Sequence, residues 1–282
     1  MNAYQKIDWV SWTVPLQSKI SGAGGASHRV ATALIGQHLS WAAEKISELS
    51  WGDFGSGRAP YQSRLHFKDL GLTVFFGGDA NHMLYELSGT GCEVFTALDL
   101  MQPLLTTYGE RVTRLDIAAD FESDTQPTDF AAMRDGARFK SGAIMNSEAG
   151  QTVYVGSAKS DRFARVYRYA PPHPRSHLLR CEMVLRGDQA KQAVQFLENN
   201  SLERLCGAVG AVFGWKHPDW IGSQWQGEAL SAFRPQRHMG ATTRWLVTQV
   251  LPAVEKLINE GHREDARYFY EQIGHLLNKH VE

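Results

Sequence analysis

The sequence predicts an α+β fold in which a mainly antiparallel sheet is flanked by helices and followed by a helical C-terminal hairpin. Segments with strand-like alternation of apolar and polar residues dominate residues 60–186. Short turns with glycine or polar residues separate several of these segments, which favours antiparallel pairing of neighbouring strands. Stretches with apolar residues at helical spacing lie between the strands and after them.

The first half of the chain opens with a predicted strand over 6–15 that Pro15 ends. The glycine-rich segment 21–27 lacks the lysine and hydroxyl residue of a P-loop and the spacing of a dinucleotide fingerprint, so we interpret it as a flexible connection. The remaining elements of this half are a helix over 28–49, strands over 61–69, 72–77 and 82–88, a Gly-Thr-Gly turn at 89–91, and a helix over 94–108 that bends or restarts near Pro103.

The second half repeats this order loosely, without a demonstrable sequence repeat. It contains strands over 111–121, 137–144, 151–157, 163–169 and 177–186, a short helix from Thr128, and helices over 189–199 and 202–212.

These elements predict three regions. Residues 1–213 form an α+β catalytic domain, with related halves 1–109 and 110–213 as an option. Residues 214–240, rich in Trp, Gly, Pro and His, form a linker or structured loop. Residues 241–282 carry two apolar helical stripes on either side of Gly261 and form the hairpin, which packs on the sheet or contacts a partner.

Composition narrows the class of protein. With 282 residues and 43% hydrophobic residues, the chain can bury a substantial core. The sequence has no apolar run near the roughly 18 residues of a membrane span and no signal-peptide pattern at its start, so we expect a cytoplasmic protein without membrane contact. The three cysteines have no paired spacing and are interpreted as small buried residues.

The charge distribution points to a polyanionic substrate held at one place. The net charge of −1 argues against indiscriminate coating of nucleic acid. From Lys159 to Lys191, however, eight basic residues outnumber three acidic ones. Such a local basic track suits a phosphate backbone, although a solvated charged surface that binds nothing is an equal alternative.

Several predicted strands carry acidic residues on one face. In the strand TRLDIAAD, alternation places Arg114, Asp116 and Asp120 on one side. In LLRCEMVLR, Arg180 and Glu182 likewise share a side. Hard divalent cations such as Mg²⁺ or Mn²⁺ prefer oxygen ligands, so Asp116 and Glu182 are candidate metal ligands, with Glu86 as a third; the alternative is that each acid pairs with an arginine. Asp120 lies two strand positions beyond Asp116, too far along to share the ion.

A tyrosine on this face would complete a phosphodiester-cleaving site. Tyr154 is the candidate nucleophile, and its hydroxyl, with a reference pKa of about 10, needs a cation or a base nearby. Tyr167 and Tyr169 are the competing tyrosines.

The ordered series KIDWVSWTVP, VFFGGDANHMLYELSGTGC, RVTRLDIAADF, TVYVGSAKSDRFARVY and LLRCEMVLRG resembles the replication initiation factors of rolling-circle plasmids and filamentous phages, the Rep_trans family. The resemblance covers about residues 6–200. It implies an initiator that nicks one strand at an origin, stays attached through tyrosine to the 5′ phosphate and leaves a 3′ hydroxyl for polymerase.

Position by position, the resemblance implies Tyr154 as nucleophile within a Tyr-x-Gly-Ser-x-x-Ser pattern, Arg165 and Arg180 as catalytic arginines, and Mg²⁺ or Mn²⁺ on the acids named above. Relatives usually follow the Arg-x-Tyr element with an acidic residue and a lysine, whereas Arg168 and Tyr169 stand here. The histidine-hydrophobic-histidine metal motif of a different group of nucleases is missing. The residues expected to contact DNA are Arg114, Ser157, Lys159, Ser160, Arg162, Tyr167 and Arg168.

The sequence therefore predicts a metal-dependent DNA nicking and joining enzyme that initiates rolling-circle replication. The expected partners are origin DNA, single-stranded or as an extruded hairpin, a host helicase and a second copy of the chain. A conjugative relaxase of a mobile element begins with the same nick and stays an alternative, as does a catalytically inactive DNA-binding regulator.

Overall fold

The computed structural model describes residues 4–20, 25–46, 52–132, 141–147, 150–169 and 171–215, and isolated positions between 256 and 268. The chain divides into two compact units, Met1–Arg234 and Pro235–Glu282. The predicted hairpin lies largely outside the described residues, as does the predicted linker beyond residue 215. Its few described positions are helical before and after a turn at Gly261, and the predicted domain boundaries stay predictions.

A ten-stranded antiparallel sheet forms the centre of the first unit, which confirms the predicted α+β class. Its strand order is β2-β3-β4-β5-β1-β6-β10-β9-β8-β7. The strands are β1 (Tyr4–Pro15), β2 (Asp53–Ser56), β3 (Ser63–Phe67), β4 (Leu72–Phe76), β5 (His82–Leu87), β6 (Val112–Glu122), β7 (Ser141–Ser147), β8 (Gly150–Val155), β9 (Arg162–Arg168) and β10 (Leu178–Arg186).

The helices lie between these strands and after β10. They are α1 (Gly25–His38), α2 (Ala43–Ile46), α3 (Gly89–Ala97), α4 (Met101–Tyr108), α5 (Pro127–Ala132), α6 (Asp188–Asn199) and α7 (Leu202–Val212). No helix in the described part of the chain is both long and apolar enough to cross a membrane.

The two halves of the sheet have the same topology. Strands β1–β5 and β6–β10 appear in the same relative order on the two sides of the central β1/β6 pair. In that pair Trp9 is opposite Asp116 and Ser11 is opposite Arg114. Placing an approximate two-fold axis between these two residue pairs matches each strand of one half to one strand of the other.

Alternation along the strands gives the sheet one apolar and one polar side. The apolar side, here called the helical face, includes Trp12, Leu115, Ile117, Cys181 and Met183, all fully buried. Helices α3, α6 and α7 contact the central strands β1 and β6, and burying these side chains supplies about 1.5–3 kcal/mol for each large apolar group. The opposite side is called the polar face. The three free cysteines, Cys92, Cys181 and Cys206, are buried as predicted.

One prediction about the first half is wrong and one is confirmed. The Gly-Thr-Gly segment after β5 is not a turn but the first turn of α3. The predicted helix 94–108 is interrupted at Leu98–Leu100 and restarts at Met101, two residues before Pro103, as predicted. Proline is tolerated in the first turn of a helix, and Pro103 lies there in α4. Gly91 is required because a Cβ there would lie 2.7 Å from the Gly71 carbonyl oxygen.

Helix 28–49 was predicted as one element but ends as an α-helix at His38, after which a 3-10 turn and the short α2 follow. Strand β2 was not predicted, since DFGS is short and has no apolar alternation.

Candidate active site

The register of the sheet brings the predicted site residues of the second half onto the polar face. Tyr154 on β8 is directly opposite Arg165 on β9, and Arg165 is opposite Glu182 on β10. Asp116 on β6 is opposite Val184, which lies two residues from Glu182 along β10 and therefore on the same face. Directly opposed residues of antiparallel strands share a face, so Tyr154, Arg165, Glu182 and Asp116 all project from the same side.

Asp116 and Glu182 form a buried acid pair, with only 1% and 2% of their surfaces exposed. Burial raises the pKa of the Asp116 carboxyl from 3.8 to about 7, Arg114 opposes this rise, and the hydrogen-bonded Glu182 carboxylate adds to it. Two carboxylates in contact cannot both ionise without a compensating charge. The Asp116 carboxyl therefore binds a proton more readily than an exposed carboxyl does, although Arg114 opposes this.

Two arginines cover the acid pair. Arg114 donates from Nε to Asp116 Oδ1 at 2.8 Å and from Nη2 to Oδ2, while Arg165 donates to Glu182. The guanidinium of Arg114 also lies 4.8 Å from the ring of Trp9. Both arginines are partly exposed, at 28% and 31% of their side chains, so they stand between the acids and solvent. The alternative that each acid pairs with an arginine is thus present in the structure.

Tyr154 is half-buried and stacks on Phe163, with ring centroids 6.3 Å apart. Its hydroxyl makes no hydrogen bond to another described residue. Its backbone is two strand spacings, about 10 Å, from that of Glu182. A phosphate group bound over Arg165 would therefore lie between the phenol and the acid pair.

The competing tyrosines are already engaged. The Tyr167 hydroxyl donates to Glu182 Oε2 at 3.1 Å, and burial raises its pKa, which disfavours the phenolate. Tyr169 stacks on His173 at 4.0 Å, and burial raises its pKa as well.

Arg180 is a buried structural partner of two acids. It donates from Nε to Asp120 Oδ1 at 2.6 Å and from Nη2 to Oδ2 at 2.8 Å. Its remaining nitrogen donates to both oxygens of Asp8, at 3.2 and 3.1 Å. With only 2% of its surface exposed, Arg180 has its donors occupied by Asp8 and Asp120 and does not point at the acid pair.

Glu86 lies in the other half of the sheet. It is opposite Ser11 on β1, accepts a hydrogen bond from Ser11 at 3.4 Å and forms an ion pair with Arg58. Two strand spacings separate it from β6, so the structure does not bring Glu86 to the acid pair.

The turn after β8 contains Ser157, Lys159 and Ser160, which the sequence predicts to contact DNA. The Ser160 hydroxyl donates to the Ser157 carbonyl at 2.7 Å, and the Lys159 amide donates to the Ser157 hydroxyl at 3.2 Å. Arg186, which the site prediction left out, donates to the Ala158 carbonyl at 2.5 Å. Arg186 reaches this turn because β10 pairs with β9, and no local sequence motif indicates this contact.

Arg162 and Arg168 lie on β9 with the opposite parity from Arg165 and Tyr167. Arg168 donates to the carbonyl oxygens of Thr125 and His177, both at 2.9 Å. Both arginines therefore project from the side of β9 opposite to Arg165 and Tyr167, and their contact with DNA stays a prediction.

Only the second half of the sheet carries the set of candidate residues. Following the register from the central pair, the positions that match Tyr154, Arg165, Glu182 and Asp116 are Arg64, Phe75, Leu84 and Ser11. None of these four can serve as a phenol nucleophile or a carboxylate ligand.

The acid pair fits a hard divalent cation with an incomplete protein shell. Among the described residues no group of three or more His, Cys, Asp or Glu side chains is placed to hold a metal ion. Mg²⁺ is commonly bound through one or two carboxylates, with water and substrate phosphates completing the coordination. Asp116 and Glu182 would be two such ligands, and a cation would compete there with Arg114, Arg165 and Tyr167, which now donate to their four oxygens.

This arrangement defines a class of site: a one-sided antiparallel sheet with two adjacent carboxylates, capping arginines and a tyrosine whose hydroxyl has no hydrogen-bond partner in the described part of the chain. No protein-family model matches the chain, and no curated protein matches it. Among solved structures, the chain is similar to a rolling circle replication initiator protein from Geobacillus stearothermophilus, with 18% identity and a TM-score of 0.49 over 75% of this chain and 86% of that chain. A likeness at this level assigns no residue and no activity.

Proposed function

We propose that the chain is a DNA nicking and joining enzyme that initiates rolling-circle replication with a divalent cation. The observation that supports this most is the shared face of Tyr154, Arg165 and the acid pair, carried by four different strands. A phosphodiester lying across this row would meet first the Tyr154 phenol, then the Arg165 guanidinium and then the two carboxylates.

In the proposed reaction the Tyr154 oxygen attacks the phosphorus and forms the phosphotyrosine bond. The bond from phosphorus to the 3′ oxygen breaks, the phenol proton leaves to solvent, and the 3′ oxygen takes a proton. Arg165 neutralises the phosphate, and Arg114 holds the acid pair and adds positive charge at its rim. When bound by Asp116 and Glu182, Mg²⁺ or Mn²⁺ would supply Lewis-acid stabilisation of the phosphoryl oxygens.

The test uses single-stranded DNA from the replicon that encodes the chain, incubated with Mn²⁺ and resolved by denaturing electrophoresis. The wild-type protein should give a covalent protein–DNA band. Tyr154→Phe should lose this band and keep noncovalent binding, whereas Tyr268→Phe, at a 65% exposed tyrosine in the other unit, should behave as the wild type. An adduct that persists in Tyr154→Phe would refute Tyr154 as the nucleophile, and Tyr167→Phe would be tested next.

The two alternatives give different results in the same assay. A conjugative relaxase would nick at a transfer origin rather than at a replication origin. An inactive regulator would bind origin DNA and never form the adduct. Binding of a host helicase to the C-terminal hairpin and self-association of the chain are separate proposals, tested by pull-down and by sedimentation of the full chain.

A further inference from the structure

A cavity of about 440 Å³ opens beside the acid pair. Its walls come from β1 and the start of α3 on one side, and from the end of β9 and the following loop on the other. The residues that matter below are Asp8, Glu93, Tyr167, Tyr169, His173 and Arg175. We call it the stacking cavity.

A fixed stack of rings forms one wall of the stacking cavity. The rings of Tyr169 and His173 lie 4.0 Å apart and are 11° from parallel, and the Arg180 guanidinium lies 4.8 Å from the Tyr169 centroid. The Arg175 amide donates to Nδ1 of His173 at 3.1 Å, which sets the orientation of the imidazole. His173 is exposed, so the stack can be extended by another flat ring.

The charged side chains that line this cavity are held in ion pairs, with Arg180 on Asp8 among them. Lys6 contacts Asp8 at 3.0 Å and Glu93 at 2.9 Å, and Arg175 contacts Glu93 at 3.3 Å. The amino end of α3 is already faced by a carboxylate, because a Cβ at Gly89 would lie 3.0 Å from Asp8 Oδ1. A site with paired charges and an open aromatic stack favours a flat, uncharged ring over a phosphate.

Tyr167 connects the cavity with the proposed cleavage site. Its side chain lines the cavity, and its hydroxyl donates to Glu182 at 3.1 Å. A group in the cavity is therefore separated from the acid pair by one side chain. In single-stranded DNA, the flat group next to a phosphate is the base of an adjoining nucleotide.

We propose that the stacking cavity receives one unstacked base of single-stranded DNA next to the scissile phosphate, with His173 as the stacking surface. This inference rests on the proposed nicking function. Stacking of bases on aromatic side chains is a general mode of single-strand binding and tolerates all four bases. Removing one base from the stack of its neighbours is favoured by such a pocket.

The test is a double-mutant cycle between protein and DNA, measured in the noncleaving Tyr154→Phe background by fluorescence anisotropy. Oligonucleotides that span the mapped nick carry one abasic position at a time. His173→Ala should weaken binding about tenfold, in line with the affinity contributed by one stacked base. One abasic position should cause a similar loss, and the two losses should not add.

Two further variants separate stacking from folding and charge. His173→Phe retains a flat ring and should keep the wild-type affinity and its sensitivity to the abasic position. His177→Ala removes an exposed imidazole from the same loop and should leave binding unchanged.

The outcomes distinguish this inference from the proposed function. If the wild-type chain forms the covalent adduct but His173→Ala binds as tightly as its parent at every abasic position, the cavity is not a base site and the nicking function stands. If the wild-type chain neither binds nor nicks DNA, both proposals are wrong.

Discussion

The raised pKa of Asp116 should make folding stability depend on pH. The Asp116 pKa is about 7 in the folded state against an ordinary value of 3.8. Each pKa unit corresponds to about 1.4 kcal/mol, so this carboxyl accounts for about 4 kcal/mol of pH-dependent stability. The folded state binds the proton more tightly, so the stabilisation is complete below about pH 4 and is lost as pH rises through 7.

Asp116→Asn tests this directly, because the amide can still donate to Glu182 and has no proton to lose. Urea unfolding at pH 5, 6, 7 and 8 gives the free energy of unfolding for both proteins. The stability of the variant relative to the wild type should rise by about 2.5 kcal/mol between pH 5 and 8, most of it below pH 7. Titrating groups that do not contact Asp116 cancel in this difference. If the free energies of unfolding of the two proteins changed in parallel with pH, Asp116 would ionise at its ordinary pKa. The inference that burial raises this pKa would then be wrong.

The remaining predictions concern the metal, the buried ion pair and one close backbone contact. Because protons compete with cations for the acid pair, Mn²⁺ should raise the melting temperature more at pH 8 than at pH 6; an equal rise at both would place the ion elsewhere. Asp120→Ala leaves a buried arginine without its main partner and should cost about 3 kcal/mol in chemical unfolding, whereas Asp79→Ala, at an exposed turn, should cost less than about 0.5 kcal/mol. Gly91→Ala places a Cβ 2.7 Å from two carbonyl oxygens and should destabilise by about 2 kcal/mol. Gly36→Ala, with open space around it in α1, should stabilise the protein by about 0.5–1 kcal/mol. If Gly36→Ala proved more destabilising than Gly91→Ala, the close backbone contact at Gly91 would be contradicted.

Alternation alone placed Arg114, Asp116 and Asp120 on one side of their strand, and the structure confirms that placement. Side chains alternate between the two faces of a strand whatever its partners are, so the face of each residue can be predicted from the strand's own sequence. The same holds for Arg180 and Glu182 on β10. The division into polar and helical faces was therefore predictable before any pairing was known.

The identity of the partners was not predictable in this way. Arg180 is bound to Asp120, sixty residues earlier in the chain, and to Asp8, still further away. Such contacts depend on the register between distant strands. Glu86 illustrates the same limit, since a local motif suggested a third ligand and the strand order places it two strands from the acid pair.

The start of α3 was also decided by tertiary contact. Gly89, Thr90 and Gly91 have low helix propensity, and the sequence predicted a turn. Gly91 allows the helix to approach the 70–71 turn closely, with backbone atoms in contact where any side chain would clash. Packing outweighs propensity at this position.

The sequence by itself determined the α+β class, the one-sided strands and the candidate residues, because periodicity and residue chemistry are properties of short segments. Only the tertiary structure decided which acids are adjacent, which arginines are occupied and that a cavity with an open stack adjoins them. Those features depend on register and burial, which are set when strands separated by dozens of residues pair and exclude water.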